Sequence, residues 1–275
     1  MKSADLIAFF AREERAMRVE ITRVRGSSPR EEGAVMFVSP SAMMGTIGGG
    51  QLEYMALDEA RKLLKLGQIS GFMDVPLGPE IGQCCGGRVE ITLSEMEASS
   101  RAMALAATEA HEAALPHVYI FGAGHVGRAL ADLLQHLPVR CLLVDSRTEE
   151  LGLSRANVEK RLTALPEADV RQAPVGSAFI VLTHDHALDF LLTSEALARN
   201  DARWVGMIGS ATKRVKFERF ARSECDGLSA AALHCPIGAG GSKDKRPEVI
   251  AAMVVADVLT ALTTETVPQM EHVPS

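Results

Sequence analysis

The sequence contains no segment that is long and apolar enough to cross a bilayer, which takes about 20 residues. The strongest candidate, residues 250–262, is too short and is interrupted by Asp257. The N-terminus, from Met1 to Leu6, lacks a cationic start followed by an apolar core, so we expect no secretory signal peptide. A membrane partner is therefore not expected.

Positive charge is not in excess, because 29 Lys and Arg stand against 35 Asp and Glu, for a net charge of -6. Bulk electrostatics therefore do not favour a nucleic-acid partner. The five cysteines are odd in number and show no zinc-finger spacing. This usage fits a reducing compartment better than a disulfide framework, so we predict a soluble cytoplasmic protein.

The length of the chain, 275 residues, favours two domains over a single core. An Ala- and Glu-rich stretch between Met96 and Leu115 has the composition of a helical connector and ends at Pro116. We place the domain boundary there, which gives an N-terminal domain of residues 1–115 and a C-terminal domain of residues 116–275.

A glycine-rich turn organises the second half. Four β-prone residues, Val118 to Phe121, run into Gly122-Ala-Gly124-His125-Val-Gly127, and apolar residues then recur at helical spacing. A strand, a tight turn and a helix in this order are typical of a Rossmann domain, which binds phosphate at the helix N-terminus. Asp145 follows 18 residues after Gly127, where such a domain holds a ribose hydroxyl. His125 has no role in a dinucleotide site and is a candidate of its own.

Strands alternate with helices through the rest of the second half, which predicts a parallel sheet. Ligands of such sheets lie beyond the carboxyl ends of the strands. One strand ends in Thr183-His184-Asp185-His186, and the helix after another carries Lys213 and Arg214 in its first turn. The two cations suit a second phosphate, or they form a solvated helix face. We expect His184 and Asp185 to orient a ligand rather than to bind a metal, since alternate residues of a strand point to opposite sides.

The first half has a glycine loop of its own. We predict an opening helix over residues 5–18, strands near 19–22 and 34–38, and a helix over 52–66. Gly48, Gly49 and Gly50 precede this last helix and suit a backbone that wraps an anion or a flat ring, although a flexible turn has the same composition. Ser27, Ser28 and Arg30 lie on another turn and offer donors to a phosphorylated ligand. The fold class is thus α/β, with a Rossmann-like C-terminal domain after a smaller α+β domain.

Two adjacent cysteines, Cys84 and Cys85, stand among glycines in residues 82–87. A thiolate there could contact a metal or carry sulfur. The alternative is a turn of small residues before the next strand. The composition does not decide between these two interpretations.

Several of these segments together resemble the XdhC/CoxI family of molybdenum-hydroxylase accessory proteins, and within it the branch that serves xanthine dehydrogenase. Cys85 fits the family's Cys-Gly-Gly, whereas Cys84 is extra. The resembling segments run in order through both halves: Val24–Arg30, Gly45–Glu53, Cys85–Gly87, Phe121–Gly127, Thr183–His186, Gly206–Ser210 with Lys213 and Arg214, Cys235–Gly238, and Asp244–Ala251.

The resemblance implies a cytoplasmic, homodimeric, non-catalytic protein that binds molybdenum cofactor (molybdopterin). Such a protein holds the cofactor while a cysteine desulfurase sulfurates it, and then delivers it to apo-xanthine dehydrogenase. We expect the two glycine turns to form opposite walls of one cleft. The candidate cofactor-binding residues are Ser27, Ser28, Arg30, Gly48, Gly49, Gly50, Cys85, Gly122, Gly124, His125, Gly127, Asp145, His184, Asp185, Lys213 and Arg214.

Two alternatives stay open. The glycine turn and Asp145 also suit an NAD(P)-dependent oxidoreductase, although the first domain offers no recognisable acid or base for hydride transfer. A plain scaffold between desulfurase and dehydrogenase would bind both partners without the cofactor.

Overall fold

The structure is a computed structural model that describes residues 1–79, 86–240, 242 and 244–264. The chain divides into two compact units, Met1–Ala114 and Leu115–Ser275. Each unit has its own sheet and is described by itself.

The first unit is built on an antiparallel sheet in the order β3-β2-β1-β5-β4. Its strands are β1 (Met17–Arg25), β2 (Val35–Val38), β3 (Met43–Gly45), β4 (Ser70–Pro76) and β5 (Arg88–Glu95). Its helices are α1 (Ser3–Arg12), α2 (Gly50–Leu66) and α3 (Ala98–Ala113).

Helix α2 supplies much of the core of this unit. Its apolar residues recur at helical spacing and pack against inward-facing residues of β1 and β5 such as Ile21 and Ile91. Gly67 ends the helix in the left-handed conformation, as its position in the sequence predicts. The opening helix is shorter than expected: α1 ends at Arg12, because residues from Met17 onward enter the central strand.

The second unit is a doubly wound sheet of six parallel strands in the order β11-β10-β9-β6-β7-β8. Its strands are β6 (His117–Phe121), β7 (Arg140–Asp145), β8 (Glu159–Leu162), β9 (Ala178–Val181), β10 (Trp204–Met207) and β11 (Leu233–His234). Its helices are α4 (His125–Leu134), α5 (Thr148–Gly152), α6 (Pro166–Gln172), α7 (His186–Ala198), α8 (Ala211–Glu224) and α9 (Pro247–Thr263).

The central strands are apolar on both sides because helices cover both faces of the sheet. Helices α4 and α9 pack on one face, and α6, α7 and α8 pack on the other. The predicted α/β class, with a Rossmann-like parallel sheet after a smaller α+β unit, is confirmed. Within the part of the chain that the structure describes, no helix is long and apolar enough to cross a membrane.

The glycine turn places α4 directly against the strand before it. Gly122 has a φ of +119°, which favours glycine. A Cβ at Gly127 would lie 1.9 Å from the carbonyl oxygen of Gly122, so this position has no room for a side chain. Gly124 differs, because a Cβ there would meet no atom within 4 Å. Two glycines thus set the packing, and the third leaves open space.

Replacing Gly127 with Ala should lower the free energy of unfolding by about 1–3 kcal/mol, since backbone must shift to admit the methyl group. Gly124→Ala, in the same turn, should cost less than about 1 kcal/mol because the space is open. Urea denaturation of both variants tests the contrast. Equal losses would contradict the assignment of Gly127 as the packing residue.

Candidate functional site

The candidate site of the second unit lies at the carboxyl edge of its sheet. Strands β6 and β9 are neighbours from which the chain winds outward in opposite directions, which makes this the point where open α/β sheets bind ligands. A small cleft of about 20 Å³ opens there. It is lined by the ends of three strands and the residues after them: Phe121, Gly122, Val144, Asp145, Ser146, Pro166, Thr183, His184 and Leu188.

The N-terminus of α4 is open at this edge. Gly124 is its N-cap residue, and within the described chain no side chain caps the helix and its first turn carries no acid. His125, the first helical residue, is exposed. Backbone N–H groups in this position attract anions. The turn therefore keeps the properties that the sequence predicts for phosphate binding.

Asp145 is buried, with a side chain only 4% exposed, and its carboxylate is fully engaged. One oxygen accepts from the Ala123 N–H at 2.7 Å and from Arg147 Nη2 at 2.9 Å. The other accepts from the backbone N–H and Nε of Arg147 at 2.9 and 3.0 Å. A carboxylate has about four acceptor positions, so none remains for a ribose diol. The sequence places Asp145 correctly at the strand end but does not reveal this internal pairing.

Burial raises the pKa of the Asp145 carboxyl, but hydrogen bonds from Arg147 and Ala123 more than offset this and hold the pKa below its usual value. The partner guanidinium responds in the opposite sense: the hydrogen bond to Asp145 raises the pKa of Arg147. Both groups are therefore charged at neutral pH.

The loop after β9 is organised by Thr183. Its hydroxyl oxygen lies 2.7 Å from a carboxylate oxygen of Asp189 and 2.9 Å from the carbonyl oxygen of Asp185, and its single hydrogen is shared between these two acceptors. Asp185 caps α7 by accepting from the Ala187 N–H, which explains its position without a ligand. His184 lines the cleft and is exposed. Among the described residues, no group of His, Cys, Asp and Glu side chains is arranged to bind a metal ion.

Lys213 lies near this loop but is paired within the protein. Its ammonium donates to the carboxylate of Asp189, and the two side chains are 11% and 1% exposed. Asp189 was not among the predicted site residues. The sequence does offer one indication of Asp189: it is an acid in the first turn of α7, at a position that is buried. The pair fixes Thr183 and the start of α8 to each other, which is a structural role.

Arg214 is also committed to the protein. Its guanidinium donates to the carbonyls of Leu233 at 2.7 Å and Cys235 at 3.3 Å, and to Glu218 at 2.9 Å. These bonds fix the segment around β11. As a phosphate ligand Arg214 would have to give up several of them.

In the first unit, the structure brings three predicted segments together. Gly48 packs against the serine-arginine turn, since a Cβ there would lie 2.8 Å from Pro29 Cγ and 3.3 Å from Arg30 Cγ. Ser27 forms a β-bridge with Gly86. Cys84 and Cys85 themselves lie outside the described residues.

The glycine loop already binds a carboxylate of its own chain. The N–H groups of Ile47 and Gly49 donate to one oxygen of Glu53, at 3.1 and 3.2 Å, and the Thr46 hydroxyl donates to the same oxygen. The Gly48 N–H donates to the Thr46 hydroxyl at 3.1 Å. The backbone of this loop thus holds a carboxylate of its own chain, and binding of an external anion stays a prediction.

A cavity beside this loop exposes the side chains suited to an external ligand. Ser28 and Arg30 line it, together with Glu31 and Glu32. Within the described chain the Arg30 guanidinium forms no ion pair or hydrogen bond. The cavity thus offers one available cation and a hydroxyl, with two carboxylates that oppose a highly charged anion. This donor set fits a single phosphate.

The buried pair of Lys213 and Asp189 makes a strong prediction for stability. Asp189→Asn should lower the free energy of unfolding by about 3–5 kcal/mol, because it leaves a buried ammonium without its countercharge. Asp185→Asn, on the same helix, should change it by less than about 0.5 kcal/mol, since Asn caps a helix as well as Asp does. Chemical denaturation measures both, and a small effect of Asp189→Asn would contradict the pairing.

Asp145 predicts a pH dependence of stability. Folding lowers the pKa of this carboxyl, so its ionised form stabilises the folded protein at pH values above the pKa of the unfolded chain, about 3.9. This stabilisation is lost as the pH falls through the pKa of the folded state. The stability difference between the wild type and Asp145→Asn should therefore be largest above about pH 5 and shrink below about pH 4. Urea denaturation across this range tests it, with the exposed Asp132→Asn as control. A difference independent of pH would contradict the assignment.

Comparisons with known proteins agree with this architecture. A chain from Bacillus halodurans, whose crystal structure is described as that of a xanthine dehydrogenase, superposes with a TM-score of 0.78 at 17% identity. The match covers 95% of this chain and 96% of that one, and at this identity it concerns the fold alone. The uncharacterized protein YqeB of Escherichia coli (strain K12) is 24% identical over 253 residues, which are 87% of this chain and 42% of YqeB. The chain thus spans about two fifths of the length of that relative.

Two family models match the sequence, one in each unit. The model described as the XdhC and CoxI family matches residues 10–72, and that of the XdhC Rossmann domain matches residues 118–258. The second match alone spans more than half of the chain. The chain therefore belongs to the XdhC/CoxI family.

Proposed function

We propose that this protein is an accessory factor in the maturation of xanthine dehydrogenase. It binds molybdenum cofactor as cargo, holds it while a cysteine desulfurase replaces an oxo ligand with sulfur, and delivers it to the apoenzyme. Membership of the XdhC/CoxI family supports the accessory role. The steps of binding, sulfuration and delivery, the homodimer and the cytoplasmic location are parts of the proposal.

One observation carries the proposal: the serine-arginine turn contacts both the glycine loop and Gly86, the residue that follows Cys85 in the sequence. Gly48 contacts Pro29 and Arg30, and Ser27 pairs with Gly86. Molybdenum cofactor is a phosphorylated pterin dithiolene. A cation and hydroxyls next to open backbone suit its phosphate, and a thiolate suits molybdenum or sulfur chemistry. The role of Cys85 stays a prediction.

The cargo fits this chemistry better than a catalytic reaction does. The described residues around the serine-arginine turn offer hydroxyls, a guanidinium and carboxylates to a ligand. Groups that bind and position a charged ligand are what a carrier requires. The chemical step belongs to the desulfurase.

The test is binding of the isolated cofactor. The protein, mixed anaerobically with molybdenum cofactor and separated by size exclusion, should retain molybdenum. Arg30→Gln should weaken retention about tenfold, because it removes a charge-assisted hydrogen bond to phosphate. Arg23→Gln, an exposed arginine on β1 that forms no ion pair within the described residues, should behave as the wild type.

The second measurement is reconstitution of apo-xanthine dehydrogenase with cofactor and a cysteine desulfurase. Activity should depend on the wild-type protein and fall with Arg30→Gln. If the protein retained no molybdenum and restored no activity, the proposal would be wrong. Binding of both partner proteins without any retained cofactor would favour the scaffold instead.

A further inference from the structure

We propose that the outer edge of β4 pairs with the same edge of a second copy of this chain, antiparallel and about a two-fold axis at Phe72. The inference supplies an interface for the homodimer of the proposed function and in that respect rests on it. Three observations carry it: an unprotected edge strand, exposed apolar side chains beside the strand, and a register in which the strand matches itself.

Strand β4 is a long edge strand without the usual protection against pairing. It lies at the end of its sheet and, among the described residues, pairs with β5 alone, in a regular register from Ser70 to Pro76. Short length, a bulge, a lysine or a central proline normally protects such an edge. The seven residues of β4 include no lysine, and its proline is the last of them. The opposite edge strand, β3, has only three residues.

Alternate residues of β4 direct their backbone groups away from β5. The carbonyl of Ile69 accepts from the end of β5, and Leu77 exchanges hydrogen bonds with the residues just before β5. The odd-numbered residues therefore bond to β5. Because an antiparallel ladder alternates along the strand, the N–H and C=O groups of Ser70, Phe72 and Asp74 point outward. These residues offer three donors and three acceptors to a further strand.

Apolar side chains flank this edge. Leu66, Ile69 and Phe72 are 61%, 71% and 62% exposed. Phe72 lies on the face of the sheet that α2 leaves uncovered, since its neighbour Met73 packs into the core beneath the helix. Leu66 lies on the β4 side of α2, because Arg61, on the other side, bonds to the loop between β2 and β3.

These side chains matter for the area of the interface. A stable interface buries about 800 Å² on each partner, which is more than the narrow strip that two paired strands cover. Leu66 and Ile69 beside the strand, and Phe72 on its outer face, are placed to add apolar area at that strip.

The side chains of β4 favour one register. With the axis at Phe72, this ring lies opposite its own copy, and Ser70 lies opposite Asp74 of the second copy. Aromatic pairs and pairs of a hydroxyl with a carboxylate stabilise adjacent strands. An axis at Met73 would set the Phe72 ring against the Asp74 carboxylate, and an axis at Asp74 would bring two carboxylates together.

The charge of this edge does not oppose a second copy. Asp74 is the only charged residue of β4, and Arg88 on β5 pairs with it at 2.5 Å. The edge is therefore neutral, and the approach of an identical edge costs little in Coulomb repulsion. Neutral charge, outward backbone groups and a matching register together favour a second copy as the occupant.

Sedimentation velocity of the full-length protein over a dilution series tests the proposal. We expect a reversible dimer. Phe72→Glu should raise its dissociation constant about a hundredfold, because two carboxylates replace the ring pair at the axis. Ser70→Pro should also weaken the dimer, since it removes an outward N–H and leaves the bonds to β5 intact.

Ile7→Glu is the matched control, because Ile7 is 50% exposed on α1, and this variant should dimerise as the wild type does. Thermal unfolding checks that Phe72→Glu is folded. A monomeric wild type, or a Phe72→Glu dimer as tight as that of the wild type, would overturn the proposal.

Disulfide trapping tests the register. Phe72→Cys should form a cross-linked dimer on mild oxidation, since residues paired at the axis have Cα atoms about 5.5 Å apart. Asp74→Cys should not, because its two copies lie four residues, about 14 Å, apart along the strands. Wild-type protein oxidised in parallel measures the background from the native cysteines. Cross-linking of Asp74→Cys but not of Phe72→Cys would show that the axis is wrongly placed.

The outcome is separable from that of the cargo experiment. A dimer that passes both tests but retains no molybdenum contradicts cofactor binding and leaves the interface standing. A monomeric wild type that retains molybdenum contradicts the interface and leaves cofactor binding standing.

Discussion

The second unit depends on the absence of a side chain at Gly127. With 1.9 Å between a Cβ there and the carbonyl oxygen of Gly122, only hydrogen fits between α4 and the turn. This contact sets the height of α4 above the sheet, and with it the packing of α4 against α9, which lies on the same face. It also holds the turn where the Ala123 N–H reaches Asp145. The packing of α4 and the geometry of the site therefore both depend on the close contact between Gly127 and Gly122.

Sequence reasoning located the backbone of this unit well. Glycine spacing and apolar periodicity report directly on turns, strands and helices, and so the turn, the strand end at Asp145 and the loop that begins at Thr183 occur where they are predicted, although α7 already begins at His186. The use of the side chains was not predictable in the same way. Lys213 takes its partner, Asp189, from 24 residues away in sequence, and Arg214 binds carbonyls near β11. Such choices depend on which groups the fold brings within reach.

The first unit shows a different limit. The residue types alone suggested that Ser27, Arg30 and the glycine loop could bind the same ligand. The contact of Gly48 with Pro29 became visible only in the structure. The end of α1 was not predicted correctly from the sequence. Residues 13–18 have a composition that could continue the helix, but the residues from Met17 onward belong to the central strand β1. Pairing with β5 along the strand outweighs the fewer than two further turns of helix that residues 13–18 could form.

Glu53 gives the glycine loop of the first unit a resident competitor. Any external anion that reaches the N–H groups of Ile47 and Gly49 has to displace this carboxylate first. Apparent affinity is then reduced by the fraction of time that the loop is closed on Glu53. The return of the tethered carboxylate is intramolecular and fast, so it would help to expel a bound group once the latter loosens. Reversible occupancy of this kind would suit the carrier role that we propose.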